Sequence, residues 1–114
     1  MANILHIGAD IDLLIARTNV LRRYWSVTSV HYEHAIPTFQ QMKYDLVLIC
    51  YSVPEQRRKS LIAFLEDESP ETPVLALTSH LKTDQIVRKS LGITPSSDPE
   101  TLFTDIDKLL KQAS

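Results

Sequence analysis

Cys50 is the residue whose type and position could do the most chemistry. It closes the apolar run Leu46-Val47-Leu48-Ile49 and is followed by Tyr51-Ser52-Val53-Pro54, a buried-type strand entering a loop stiffened by proline. A thiol acts as a nucleophile or redox sensor only as the thiolate, which needs cations nearby, and Arg57, Arg58 and Lys59 are the obvious candidates in sequence. A free cysteine is more commonly a small buried hydrophobe, and the residues favour that inert reading. The run Arg57-Arg58-Lys59 itself sits where a helix pattern begins, and cations there oppose the macrodipole. Solvation of three surface charges is the plain explanation. The functional one is an electropositive docking patch for an acidic partner surface, which could also attract a small anion.

Other polar residues carry weaker signals. Asp10 precedes a helical pattern and reads as an N-cap in preference to a cation ligand. His31 and His34 have a metal-compatible spacing, but no third and fourth ligand lies within sequence reach. His6, inside an apolar run, reads as a hydrogen-bonded core histidine. Thr78 ends a run of strand formers, where a β-branched residue needs no functional reason.

These residues need elements to position them. Ile4-Leu5-His6-Ile7, stopping at Gly8, predicts a strand buried on both faces. A helix follows, capped by Asp10, with Leu14, Ile15, Leu21 and Tyr24 on its inner face and Arg17, Arg22 and Arg23 projecting outward. Residues 26–32 alternate like a half-exposed edge strand, and a short helix is expected over 37–42, where Pro37 must lie near the first turn. Beyond the strand at 46–50, a helix over 56–66 buries Leu61, Ile62, Phe64 and Leu65. A proline-rich loop feeds the strand 74–78; residues 83–91 then look helical up to Gly92, and Ile93-Thr94 leaves room for a stub of a strand. Asp98-Pro99-Glu100 opens the clearest helix: a side-chain cap, proline at the first helical position and acid in the first turn. Its apolar face holds Leu102, Phe103, Ile106, Leu109 and Leu110.

Alternating strands and helices with buried-type strands specify a doubly wound parallel sheet. A flavodoxin-like α/β fold follows: five strands in the order 2-1-3-4-5, helices on both faces, and a short fifth strand. The 114 residues read as one domain, 1–114, with no repeat or linker. Apolar content of 44% and charged content of 23% argue against extended disorder, and a net charge of −2 argues against a nucleic-acid surface. A single cysteine excludes an internal disulfide framework and a multi-cysteine zinc site. No apolar run is long enough to span a bilayer, and Met1-Ala2-Asn3 leads straight into a strand, so a cytoplasmic location without membrane contact is expected.

The chain resembles the receiver domains of response regulators, the CheY-like family, over essentially its whole length. The resemblance rests on residues 4–10, 44–54 and 73–79 and on Ser97-Asp98-Pro99-Glu100. Carried over residue by residue, the family's metal-binding acidic pair falls on Gly8 and Ala9, its phosphoacceptor aspartate on Cys50 and its switch hydroxyl on Thr78. Its lysine–proline step falls near Pro95-Ser96, without the lysine. Phosphoryl transfer to a carboxylate needs that carboxylate, oxygen ligands for Mg²⁺ and a cation for the equatorial oxygens. Gly8 and Ala9 offer no side-chain oxygen, and a thiol is a poor magnesium ligand.

The resemblance therefore implies an atypical or pseudo-receiver, with no catalytic residue, metal or cofactor. The expected function is a phosphorylation-independent protein–protein interaction module in signal transduction, and not an enzyme. Its expected partner is a signalling protein or an attached output or kinase domain. The family's usual dimer surface would fall on residues 83–91 and 98–112. The competing function is a redox or small-ligand sensor using Cys50 in the remodelled pocket. A flavodoxin-like cofactor binder is disfavoured, because phosphate cradles use glycine- and hydroxyl-rich loops and only Gly8 and Gly92 are present.

Overall fold

The computed structural model describes residues 1–77, 85–86 and 99–113. Four strands run parallel in the order β2-β1-β3-β4: β1 (Asn3–Gly8), β2 (Ser26–His31), β3 (Leu46–Ile49) and β4 (Val74–Ala76). The crossovers between them are α1 (Ile11–Leu21), α2 (Ala35–Gln41) and α3 (Glu55–Glu68), and α4 (Pro99–Ala113) closes the chain. This is the flavodoxin-like α/β arrangement expected. Its fifth strand differs. β5 is the two-residue segment Gln85–Ile86, paired antiparallel to β4, inside the stretch expected to be helical. Helix propensity is a weak prior, and here the open edge of β4 supplies the backbone partner. The stub expected at Ile93-Thr94 lies outside the described residues.

Alternation along the strands builds two cores. Leu5, Ile7, Val47, Ile49, Val74 and Ala76 face α2 and α3, where they meet Ala35, Tyr44, Val53, Leu61 and Leu65. Ile4, Leu46, Leu48, Leu75 and Leu77 belong to the other core, with Leu21, Val27 and the α4 residues Leu102, Ile106 and Leu109. Asp10 caps α1 as expected, its Oδ1 accepting from the Asp12 and Leu13 amides at 3.0 and 3.3 Å. Pro37 sits in the first turn of α2, where its missing amide costs no helical bond.

The inner face of α1 departs from the expected one. Its buried residues are Leu14, Thr18 and Leu21, whereas Ile15 and Tyr24 are each 55% exposed. The helix is rotated so that the stripe at 14, 18 and 21 meets the sheet, which leaves Ile15 one step around the cylinder. Tyr24, just past the helix, packs its ring on Phe103 of α4 with centroids 5.1 Å apart. Arg17, expected to point outward, is half-buried and reaches over the sheet.

Candidate functional site

In doubly wound sheets, sites form beyond the carboxyl ends of the central strands. Here β1 ends at Gly8 and β3 runs into Cys50, whose amide donates to the Ile7 carbonyl at 2.7 Å. Gly8 and Cys50 are brought side by side: a Cβ built on Gly8 would stand 3.4 Å from that of Cys50. The same Cβ would stand 2.7 and 2.9 Å from Cδ2 and Cγ of Leu14, so this leucine fills the volume a side chain at position 8 would need. Ala9, at the start of the following loop, donates its amide to the Ser52 hydroxyl at 2.9 Å, and the Asp10 amide does so at 3.2 Å. Ser52 thus ties the loop after β1 to the loop after β3.

Cys50 is fully buried, and its sulfur has a cationic neighbour that does not come from α3. Arg17 of α1 donates Nη1 to Cys50 Sγ at 3.1 Å and points the same nitrogen at His6 Nε2, 3.4 Å away. A guanidinium can only donate, so His6 Nε2 is the acceptor and the ring proton belongs on Nδ1. Nδ1 in turn faces the hydroxyls of Ser29 at 3.2 Å and Thr18 at 3.4 Å. Those two hydroxyls bond to each other. Burial, and then the Arg17 charge, lower the His6 pKa to about 3, so the ring is neutral and completes a satisfied polar chain in the core.

The basic run does not act as one unit. Arg57 is exposed on α3; Arg58 is half-buried with Nη1 3.5 Å from the Leu77 carbonyl, at the end of β4; Lys59 faces Glu55 one turn earlier at 3.5 Å. Thr78 lies outside the described residues, as does most of the 83–91 segment. His31 accepts from the Glu33 amide at its own short turn, with the Glu33 carboxylate 3.7 Å away. Among the described residues, no group of three or more His, Cys, Asp or Glu gathers where a metal ion could sit. No described helix is long and apolar enough to cross a membrane.

Sequence reasoning missed Arg17, Leu14 and Ser52 as parts of the site. The helical spacing gave no signal for Arg17, because a residue one step from the buried stripe is turned away from it around the helix. Ser52 gave none. Its role depends on two loops meeting across 43 residues of chain.

No family model matches the chain, and no curated protein sequence matches it. Solved structures do. A chemotaxis protein CheY4 from Vibrio cholerae, crystallised at low pH, superposes with a TM-score of 0.75 at 19% identity, covering 96% of this chain and 98% of that one. A sensor protein from Polaromonas sp. JS666 gives a TM-score of 0.78 at 16% identity, covering 99% and 98%. A chain from the complex of histidine kinase ThkA with response regulator protein TrrA gives 0.77 at 16% identity, covering 96% and 99%. At these identities the likeness shows the fold, that of CheY-like proteins, and nothing about chemistry.

Proposed function

We propose that this protein is a degenerate receiver module of signal transduction that works through protein–protein interaction without aspartyl phosphorylation. The observation that carries the reading is the end of β3. A buried thiol stands beside Gly8, Leu14 occupies the space above that glycine, and Arg17 lies against the sulfur. Such a site holds no carboxylate nucleophile at position 50 and no acid at positions 8 and 9. Acyl phosphate formation needs the first, and Mg²⁺ needs oxygen ligands such as the second. The CheY-like fold supports the signalling role, and a neighbour whose complex pairs a histidine kinase with a response regulator supports a signalling protein or an attached output domain as the partner. A homodimer through α4 and the segment before it belongs to the same proposal.

Amide spectra recorded with and without acetyl phosphate or beryllofluoride plus Mg²⁺ test this reading. No specific change is expected. Saturable shifts clustered at Gly8, Cys50 and Thr78 would overturn it. Cys50→Asp alone should not restore the response, because an introduced carboxylate would face Arg17 and would still lack metal acids.

A redox or small-ligand sensor at Cys50 is the second reading. The guanidinium beside the sulfur favours it, while complete burial of the thiol opposes it. Rapid alkylation of the native protein by iodoacetamide would bring this reading forward, and protection of the thiol would remove it.

A further inference from the structure

Arg17 is a permanent charge held partly out of water, and its company is neutral. The group it donates to at 3.1 Å is a thiol, and the group 3.4 Å beyond its Nη1 is an imidazole nitrogen that can only be accepting. The carboxylates of Glu55 and Asp107 pair with Lys59 and Lys111, and that of Glu33 lies beside the His31 ring; none of these carboxylates faces Arg17. A charge withdrawn from water is costly unless it is paired, and the usual partner of a guanidinium is a carboxylate or phosphate taken by its planar fork. Nη1 is committed inward to Cys50 and His6, whereas the fork's other nitrogens, Nη2 and Nε, make no hydrogen bond among the described residues. The anchor is rigid: His6 is fully buried and fixed from behind by the Thr18 and Ser29 hydroxyls.

We propose that Arg17 is an anion receptor, whose free donors take a carboxylate or phosphate-type oxyanion at the rim of the sheet beside α1. The anion arrives either free or on a partner's side chain. Because one guanidinium holds both the anion and Cys50, binding is registered at the end of β3 without covalent chemistry. Binding of a free oxyanion stands apart from the interaction reading, since a protein that docks nothing can still hold one at Arg17, whereas binding of a partner's carboxylate rests on that reading.

Nitrogen-15 spectra decide it. The probes are inorganic phosphate and a triglutamate peptide, each titrated at constant ionic strength against chloride. The expected result is saturable movement of the Arg17 Nε–H, the His6 ring nitrogens and the Cys50 amide. Movement with phosphate alone assigns a free oxyanion, and movement with triglutamate alone assigns a partner's carboxylates. Arg17→Gln should abolish the response and Arg22→Gln should leave it intact. Should Arg17→Gln fold poorly, Arg17→Lys is the substitute variant; a point charge without the fork should bind roughly tenfold more weakly, as for one lost charge-assisted hydrogen bond. Shifts that rise linearly without saturating, or saturable shifts that persist undiminished in the Arg17 variants, would overturn the proposal.

Discussion

The two faces of the sheet are built on different principles, although the same strands make both. Toward α2 and α3, β1 and β3 present Leu5, Ile7, Val47 and Ile49, which join one hydrophobic cluster with Val74 and Ala76. Toward α1 and α4, the same strands present Ile4, Leu46 and Leu48, then change character at His6, Gly8 and Cys50. Alternation of side chains lets one strand carry both programmes. The first face is held by volume and is sensitive to cavities. The second is apolar at its base, but at its carboxyl end it is held by a polar chain running from Cys50 through Arg17 and His6 to Thr18 and Ser29. The polar side chains at the strand ends are therefore gathered on the α1 side.

Alanine substitutions on each side test whether the apolar parts of the two faces behave alike. Leu48→Ala on the α1–α4 face and Leu5→Ala on the other should each cost on the order of 2–5 kcal/mol in chemical denaturation. A cost below about 1 kcal/mol at either would mean that side is loosely packed.

The polar end should respond to pH as the apolar face cannot. His6 titrates near 3 in the folded protein against 6.5 for the free group, so the unfolded chain binds the extra proton between those values. Its contribution is therefore complete above about pH 6.5 and is lost as pH falls toward 3. By pH 5 the loss should be about 2 kcal/mol, at 1.36 kcal/mol per pH unit. Urea midpoints for the wild type and His6→Leu between pH 7 and pH 5 measure it; parallel pH profiles would show that the ring charges without penalty.

A smaller effect tests whether Leu14 has closed the space beside Gly8. Gly8→Asp should destabilise the fold by about 1–3 kcal/mol through overpacking. Adding Leu14→Ala should recover part of that loss, so that the double variant is more stable than the sum of the two single changes predicts. Strict additivity would mean that Leu14 moves aside freely.

The smallest effect concerns the cations of α3. Replacing Arg57, Arg58 and Lys59 together by Gln should change stability by less than about 1 kcal/mol, because two of the side chains are exposed and the Arg58 contact is long. If they form a docking patch, association with a partner recovered by pull-down should slow and lose salt dependence. Equal rates and equal salt slopes would leave them as surface charge.

Much of this architecture was legible in the sequence because it is written in local pattern. Apolar runs marked β1, β3 and β4; Asp10 marked the start of α1; the repeat of Leu102, Ile106 and Leu109 marked α4. The absence of acids at Gly8, Ala9 and Cys50 was also visible there, since an absent functional group needs no coordinates to be noticed. What fills the site instead depends on contacts between residues far apart in the chain. An arginine one residue from the helix stripe can go to water or across the sheet, and its own sequence neighbours do not distinguish the two. Arg17 turns inward to a thiol at the end of β3 and an imidazole from β1, which strand pairing places on one face of the sheet. The same holds for Leu14 above Gly8, and for the β5 segment that pairs with an open edge instead of coiling. Periodicity selects elements within a stretch of chain, whereas the partner of a long side chain or of a strand edge is chosen by whatever the fold brings to it.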